Sequence, residues 1–221
     1  MIRGIIFDVD GTLVDSNAAH ASSWVDTLGE SGIRVSFDVV FPMIGMGGDK
    51  VLPSLSGIEE ESALGKRLGK RRWEIFVRDY LPSLRPTPGA RALVERLKED
   101  GFDLVIASSA GGSELGTLLE AAGVDDLFDL KTSSSDAEDS KPDPDIVQAA
   151  VRKIGYKPDE LVMIGDTPYD VEAALGAHVR LVGVLTGGWT REELSGAVAV
   201  YENPADILYW YERSPGFFSV D

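Results

Sequence analysis

The stretch Gly4-Ile5-Ile6-Phe7-Asp8-Val9-Asp10-Gly11-Thr12-Leu13 decides the fold of this 221-residue chain. Its first four residues carry no charge and predict a short buried β-strand, which ends in the carboxylates of Asp8 and Asp10. Gly11 allows the chain to turn sharply after the strand, and Thr12 can hydrogen-bond to local backbone. A single acid after a strand is a common loop cap, but two acids followed by Gly-Thr favour a functional site.

Short apolar runs alternate with longer amphipathic stretches in the rest of the chain, which is typical of βαβ units in a parallel sheet. We predict further strands at Phe102–Ala107, Leu127–Lys131, Leu161–Ile164, Leu181–Leu185 and Ala197–Tyr201. We predict helices, each followed by glycine, at Pro88–Asp100, Ser113–Ala122, Pro144–Ile154 and Tyr169–Leu175. The expected fold class is α/β, with a doubly wound, Rossmann-like parallel sheet.

One segment, between the first strand and Pro86, breaks this alternation. It predicts only helices, at Asn17–Ser31, Phe37–Ile44, Lys50–Leu55 and Glu59–Tyr80. A crossover between parallel strands needs one helix, so we expect residues 16–82 to form an inserted α-helical cap domain and residues 1–15 and 83–221 the α/β core. Four basic residues of this segment are expected to face solvent: Lys66, Lys70, Arg71 and Arg72.

Other chemically capable residues follow other predicted strands. Asp166 comes directly after one strand and Asp170 begins the next helix, while Ser108 and Ser109 end another strand. The carboxyl ends of parallel strands meet at one edge of a sheet, so these side chains are expected near Asp8 and Asp10. Clustered carboxylates repel one another unless a hard cation lies among them, and this favours Mg²⁺.

Lys141 is the only cation in the run Asp139-Ser140-Lys141-Pro142-Asp143-Pro144. A lone lysine is usually solvated, but the two prolines stiffen this loop at another strand–helix junction. An anionic substrate would need such a local positive charge in a chain whose formal net charge is −16. We therefore predict a site role for Lys141.

Composition narrows the classes of protein that are possible. A surface this acidic repels nucleic acid and anionic membranes, so we expect neither as a partner. The chain has no cysteine, which excludes disulfides, thiolate catalysis and cysteine-based zinc sites. No apolar run approaches the ~20 residues that span a bilayer, and the N-terminus does not resemble a signal peptide. We expect a cytoplasmic protein that acts as a monomer or homodimer.

These motifs, taken in order, resemble those of the haloacid dehalogenase superfamily, and within it phosphoglycolate-phosphatase-type members with a helical cap. The resemblance implies a phosphatase in which Asp8 attacks phosphorus to form an aspartyl-phosphate and Asp10 acts as acid and base. It implies that Mg²⁺ is held by Asp8, the main-chain carbonyl of Asp10, and Asp166, with Asp170 orienting a bound water. Ser108 and Lys141 would hold the phosphoryl oxygens.

The resemblance also implies contacts with a small phosphorylated metabolite from Gly11, Thr12 and Ser109, whose neighbourhood would supply main-chain N–H groups. Two residues of the expected cap domain are further candidates for substrate binding. His20 could approach the leaving group, or it could simply pack between helices. Lys50 lies in the loop Ile44-Gly45-Met46-Gly47-Gly48-Asp49-Lys50, which could reach over the site or only connect helices.

Two alternatives remain open at this point. A sugar phosphomutase of the β-phosphoglucomutase type would keep Asp10 and often a histidine at the position of His20. Such enzymes usually carry an arginine in the cap loop, where this chain has Gly47-Gly48-Asp49-Lys50. A phosphate-binding or signalling module without turnover belongs to another class and would need neither a cap nor Asp10.

Overall fold

The computed structural model describes residues 1–214 and residue 218. Its centre is a six-stranded parallel sheet with the order β3-β2-β1-β4-β5-β6. The strands are β1 (Gly4–Phe7), β2 (Asp103–Ala107), β3 (Leu130–Thr132), β4 (Leu161–Gly165), β5 (Arg180–Val184) and β6 (Ala199–Tyr201). The sequence-based prediction of a Rossmann-like parallel α/β fold is therefore confirmed, because this order reverses direction at β1 as in doubly wound sheets.

Helices cover both faces of the sheet. The core helices are α5 (Ala90–Glu99), α6 (Gly112–Ala122), α7 (Asp145–Ile154), α8 (Pro168–Gly176) and α9 (Pro204–Tyr211). Ile5 and Phe7 belong to a cluster that includes buried residues of α5, α6 and α9, whereas Ile6 belongs to the cluster of α7 and α8. Side chains alternate between the faces of a strand, so burial on both faces makes β1 apolar throughout.

The third strand begins later than Leu127, the start predicted from the sequence. Leu127 lies in a turn, and β3 pairs only with the carboxyl half of β2, from Val105 to Ala107. Phe128 is buried and packs edge-on against Phe7, with ring centroids 5.6 Å apart. The apolar run therefore anchors a loop beneath the sheet before the strand starts.

The segment between β1 and α5 contains no strand. It consists of α1 (Asn17–Glu30), α2 (Phe37–Val40), α3 (Gly48–Ser56) and α4 (Ala63–Ile75), followed by a π-helical turn at Phe76–Tyr80 and 3₁₀ turns at Phe41–Met43 and Leu81–Ser83. We call residues 17–83 the helical segment. It has its own apolar cluster, which includes Trp24, Leu28, Val51, Leu52 and Leu68.

The chain enters and leaves the helical segment through two adjacent connections. The N–H of Asp15 donates to the carbonyl of Arg85 over 3.0 Å, and the N–H of Thr87 donates to the carbonyl of Leu13 over 3.0 Å. The Thr87 hydroxyl also donates to the carbonyl of Thr12 over 2.6 Å. These bonds fix the helical segment directly beside the carboxyl end of β1.

None of the helices in the described part of the chain combines the length and apolar character that a membrane crossing requires.

Candidate active site

Asp8 directly follows the last residue of β1, and its own N–H donates to the carbonyl of Ile164 in β4 over 2.9 Å. The residue is only 6% exposed. Burial raises the pKa of Asp8 to about 7, and the nearby Asp170 and Asp10 add to this while Lys141 opposes it. The continuation of a buried strand thus places a carboxylate in a medium where its charge needs a cationic partner.

Lys141 supplies part of that positive charge. Its Nζ lies 2.5 Å from Asp8 Oδ1 and 2.6 Å from Asp170 Oδ1, and the lysine is 1% exposed. Burial alone would lower the pKa of Lys141, but Asp170 and Asp8 outweigh this and raise it above its ordinary value. The lysine is therefore a fixed cation between two carboxylates at the end of the sheet.

Asp170 has two roles in the structure. Its Oδ2 accepts hydrogen bonds from the N–H and the hydroxyl of Thr167, at 3.0 and 2.7 Å, in a capping box at the start of α8. Its other oxygen faces Lys141. Asp170 therefore caps α8 with one carboxylate oxygen and faces Lys141 with the other.

Asp166 directly follows β4 and is fully buried. Thr12 Oγ1 donates to Asp166 Oδ1 over 3.0 Å, and Asn17 Nδ2 donates to Asp166 Oδ2 over 2.8 Å. Burial and the nearby Asp8 and Asp170 raise the pKa of Asp166 well above its ordinary value. Both of its hydrogen-bond donors are neutral, so they do not cancel its charge.

The donor set at this edge of the sheet fits a divalent cation. Asp8, Asp166 and Asp170 each offer an oxygen, and the three oxygens lie within 4.8 Å of one another. When all three acids are ionised they face the single ammonium group of Lys141, which leaves a net negative charge. Mg²⁺ prefers carboxylate oxygens and would relieve this repulsion. The charge imbalance and the buried oxygens are the observations that favour a metal here.

Asp10 lies at one end of a chain of polar contacts that runs through the helical segment to α6. Its Oδ1 is 2.5 Å from Ser16 Oγ and 2.8 Å from His20 Nε2. His20 Nδ1 is 3.1 Å from Arg72 Nη1, and Arg72 Nη2 donates to Glu114 Oε2 in α6 over 2.6 Å. Burial alone would raise the pKa of Asp10, but His20 and Ser16 outweigh this and lower it.

Arg72, which contacts His20, and Asn17, which contacts Asp166, were not predicted as site residues from the sequence. The prediction that Arg72 faces solvent is wrong: it is 9% exposed and lies over the ring of Trp24, 5.4 Å from its centroid. Lys66 and Lys70, by contrast, are exposed as predicted. Arg72 lies one helical turn before Phe76, whose ring stacks on His20, and only the fold brings these side chains together.

A cavity of about 700 Å³ opens between the sheet edge and the helical segment. Its lining includes Asp8, Asp10, His20, Ser109 and Arg72. Its lining is rich in acids, which also include Asp49, Glu59, Glu60, Glu61, Glu114, Glu138 and Asp139. The cavity therefore places both acids that follow β1, Asp8 and Asp10, within reach of a small ligand.

The two serines at the end of β2 differ in their surroundings. Ser108 is buried, and its Oγ accepts a hydrogen bond from the N–H of Ala110 over 3.1 Å. Ser109 lines the cavity, and its buried Oγ has no hydrogen-bond partner among the described residues. A hydroxyl without a partner that lines the same cavity as Asp8 is available to a ligand.

Lys50 and the loop before it contact the α/β core, and Lys50 is not among the residues that line the cavity. Lys50 Nζ donates a hydrogen bond to Asp143 Oδ2, and the N–H of Gly47 donates to Ser140 Oγ over 3.0 Å. These bonds join the helical segment to the loop that carries Lys141. The structure thus brings Gly11, Thr12 and His20 to the site, whereas the Lys50 side chain is held at its edge.

A family model described as haloacid dehalogenase-like hydrolase matches residues 5–184. The chain belongs to this family. The match begins in β1 and ends in β5, so it includes every acid of the site and the whole helical segment.

Several named proteins are similar to this chain in sequence. It is 33% identical over 189 residues to Protein SUPPRESSOR OF QUENCHING 1, chloroplastic, from Arabidopsis thaliana. The matched region is 84% of this chain but only 18% of that protein. The chain is 29% identical over 221 residues to a phosphoglycolate phosphatase from Rhodospirillum rubrum, covering 95% and 91% of the two chains. Pyrophosphatase PpaX from Bacillus velezensis is 27% identical over 195 residues, with 86% and 84% covered.

Solved structures share the fold over nearly the full length. A hydrolase from Pseudomonas syringae superposes with a TM-score of 0.88 at 33% identity, covering 96% of this chain and 98% of that one. A β-phosphoglucomutase from Clostridium difficile superposes with a TM-score of 0.82 at 21% identity, covering 96% of each chain. The second likeness concerns the fold alone.

Proposed function

We propose that this haloacid dehalogenase-like hydrolase is a Mg²⁺-dependent phosphatase that hydrolyses a small phosphomonoester through an aspartyl-phosphate on Asp8. The observation that carries the proposal is the position of Asp8, a buried carboxylate that is bound to Lys141 and lines the cavity. The relatives named phosphoglycolate phosphatase and pyrophosphatase support the reaction class. The resident acids Asp8, Asp166 and Asp170, with the main-chain carbonyl of Asp10, would hold the cation.

In the first half-reaction an oxygen of Asp8 forms a bond to phosphorus, and the bond from phosphorus to the leaving oxygen breaks. Lys141 keeps the attacking carboxylate in place and offsets the charge of the incoming phosphoryl group. The leaving oxygen takes a proton from Asp10, to which His20 donates a hydrogen bond over 2.8 Å. Bound Mg²⁺ would neutralise the charge between the two anions that must meet.

In the second half-reaction Asp10 accepts a proton from water while the water oxygen attacks phosphorus, which releases phosphate and regenerates the Asp8 carboxylate. The contacts with His20 and Ser16 lower the pKa of Asp10 and so favour the carboxylate form that this step needs. Ser108 and Ser109 would donate to the phosphoryl oxygens. The helical segment would limit the access of bulk water to the cavity during transfer.

The test is the release of inorganic phosphate from a panel of compounds, measured with Mg²⁺ and with excess EDTA. The panel contains p-nitrophenyl phosphate, glycerol phosphate, phosphoglycolate, pyrophosphate, nucleoside monophosphates and β-glucose 1-phosphate. We expect Mg²⁺-dependent release that Asp8→Asn abolishes. Full activity in EDTA, or a tenth or more of the wild-type rate in Asp8→Asn, would overturn the metal or the nucleophile assignment respectively.

A mutase function is the second candidate, because the fold is shared with a β-phosphoglucomutase and His20 contacts Asp10. A mutase must grip a second phosphate, yet each lysine and arginine that lines the cavity already has an acidic partner. The pairs are Arg72–Glu114, Lys66–Glu61 and Lys70–Glu74. Conversion of β-glucose 1-phosphate to the 6-phosphate without net phosphate release would favour the mutase. Phosphate binding without turnover of any compound would favour a binding module.

A further inference from the structure

Asn17, the first residue of α1, is in contact with Asp166 and is 4% exposed. Its Nδ2 lies 2.8 Å from Asp166 Oδ2 and 3.5 Å from the carbonyl oxygen of Gly187. Both neighbours are hydrogen-bond acceptors, so the amide nitrogen rather than the amide oxygen must face them. The chemistry of the neighbours thus fixes the orientation of the side chain.

The carboxylate of Asp166 is held in one orientation by its surroundings. Thr12 donates to its other oxygen over 3.0 Å. A Cβ atom at Gly11 would lie 2.1 Å from Asp166 Oδ2, and a Cβ atom at Gly187 would lie 1.9 Å from it. Gly11 and Gly187 therefore approach Asp166 Oδ2 closely, and Asn17 Nδ2 donates to this same oxygen.

The second atom of the Asn17 amide is not satisfied. Its Oδ1 is buried and has no hydrogen-bond partner among the described residues. Buried polar atoms are nearly always hydrogen-bonded, and an exception calls for a donor such as an ordered water or a ligand. Mg²⁺ usually keeps several of its waters when it binds to protein carboxylates, and those waters donate strongly.

From these contacts we infer that Asn17 is a positioning residue of the Mg²⁺ centre. Its amide nitrogen orients Asp166 for the cation, and its free oxygen accepts a hydrogen bond from a water that accompanies the cation. The inference rests on the proposed Mg²⁺-dependent function. It adds a residue that contacts neither the substrate nor the reacting atoms but sets the affinity for the metal.

The test measures Mg²⁺ binding rather than turnover. The affinity is obtained by calorimetric titration with MgCl₂ and from the rise in melting temperature with Mg²⁺ concentration, for the wild type, Asn17→Leu and Asn17→Ser. Loss of such an outer-shell partner typically weakens metal binding about 10- to 100-fold, and we expect a loss in this range for both variants. Thr27→Val is the matched control, because Thr27 is also buried in α1 but donates only to the carbonyl of Ser23, over 2.7 Å.

The outcomes separate this inference from the proposed function. If the wild type binds no Mg²⁺, the metal-dependent function itself is overturned. If the wild type binds Mg²⁺ and both Asn17 variants bind it within twofold of the wild-type affinity, the role of Asn17 is overturned while the function stands. If Asn17→Leu does not fold, the smaller polar change Asn17→Ser decides. Equal losses in Thr27→Val and the Asn17 variants would indicate a general effect of α1 and would also overturn the inference.

Discussion

His20 Nε2 lies 2.8 Å from Asp10 Oδ1, so a side chain of the helical segment is in direct contact with the second acid that follows β1. The other ring nitrogen of His20 faces the guanidinium of Arg72 at 3.1 Å. A guanidinium can only donate, so this nitrogen accepts, and Nε2 is left to carry the proton towards Asp10. The contact with Arg72 therefore makes His20 a hydrogen-bond donor to Asp10.

We predict that His20→Phe lowers kcat for phosphomonoester hydrolysis by about 10-fold or more, but by less than the ~10²–10⁴-fold that a general acid–base group contributes. The phenyl ring keeps the stacking on Phe76 but cannot donate to Asp10. Steady-state phosphate release measures kcat, and the kcat of Asp10→Asn is the lower limit for comparison. His178→Asn is the control, because His178 is exposed and asparagine tolerates its positive φ of 59°. An unchanged kcat in His20→Phe would remove His20 from the reaction.

The ion pair between Arg72 and Glu114 joins α4 of the helical segment to α6 of the core. Its side chains are 11% and 19% exposed, so solvent screens it less than a surface pair. We predict a coupling energy of about 0.5–3 kcal/mol between Arg72→Met and Glu114→Gln in the free energy of unfolding. Urea denaturation of both single variants and the double variant measures it.

The exposed pair Arg91–Asp126 provides the control for this double-mutant cycle. Its atoms are 2.8 Å apart, but its side chains are 45% and 56% exposed, and such pairs contribute at most about 1 kcal/mol. Equal coupling in the two cycles, or effects of Arg72→Met and Glu114→Gln that simply add, would show that burial does not strengthen the pair.

The sequence predicts the strand ends well because their signal is local. A buried strand followed by acids, as at Asp8 and Asp166, determines where each carboxylate lies in a parallel sheet without knowledge of distant residues. Arg72 and Asn17 carry no such local signal. Glu114, the partner of Arg72, is 42 residues away in sequence, and Asp166, the partner of Asn17, is 149 residues away.

A short helix shows the same limit of prediction from the sequence. The helix α9 was not predicted, although Asn203 caps it by accepting from the N–H of Asp206 over 3.0 Å and Pro204 occupies its first turn. Its apolar residues pack against the sheet face that also carries α5. Eight residues are too few for a helical period to stand out, so tertiary packing decides this helix.

We predict opposite effects of a substitution to alanine at Gly187 and at Gly116. A Cβ atom at Gly187 would lie 1.9 Å from Asp166 Oδ2, so we expect Gly187→Ala to displace that carboxylate and weaken Mg²⁺ binding about 10-fold or more. Gly116 is exposed within α6 with nothing close to its Cβ position, so Gly116→Ala should stabilise the protein by about 1 kcal/mol. Melting curves recorded with and without Mg²⁺ distinguish the two effects. A Mg²⁺-induced shift in Gly187→Ala as large as in the wild type would contradict the crowding of Asp166.

Glu60 is the cavity acid whose removal should alter both stability and substrate preference. Burial raises its pKa, and the nearby Asp49 and Glu61 add to this while Arg72 opposes it. A carboxyl with a raised pKa in the folded state stabilises the fold below its ordinary pKa of 4.5, and that contribution is lost as the pH rises through the folded-state value. Glu60→Gln should therefore raise the melting temperature relative to the wild type more at pH 7.5 than at pH 4.

The same change removes a negative charge from a cavity lined mainly by acids. A unit charge a few ångströms from an anionic leaving group in water interacts by about 1 kcal/mol, which corresponds to a change of about fivefold. We expect Glu60→Gln to raise kcat/KM for phosphoglycolate by up to this factor relative to the neutral leaving group of glycerol phosphate. Glu99→Gln, an exposed acid of α5 outside the cavity, should leave that ratio and the pH dependence of the melting temperature unchanged. An equal change of kcat/KM for both substrates in Glu60→Gln would show that the charge of Glu60 does not discriminate between charged and neutral leaving groups.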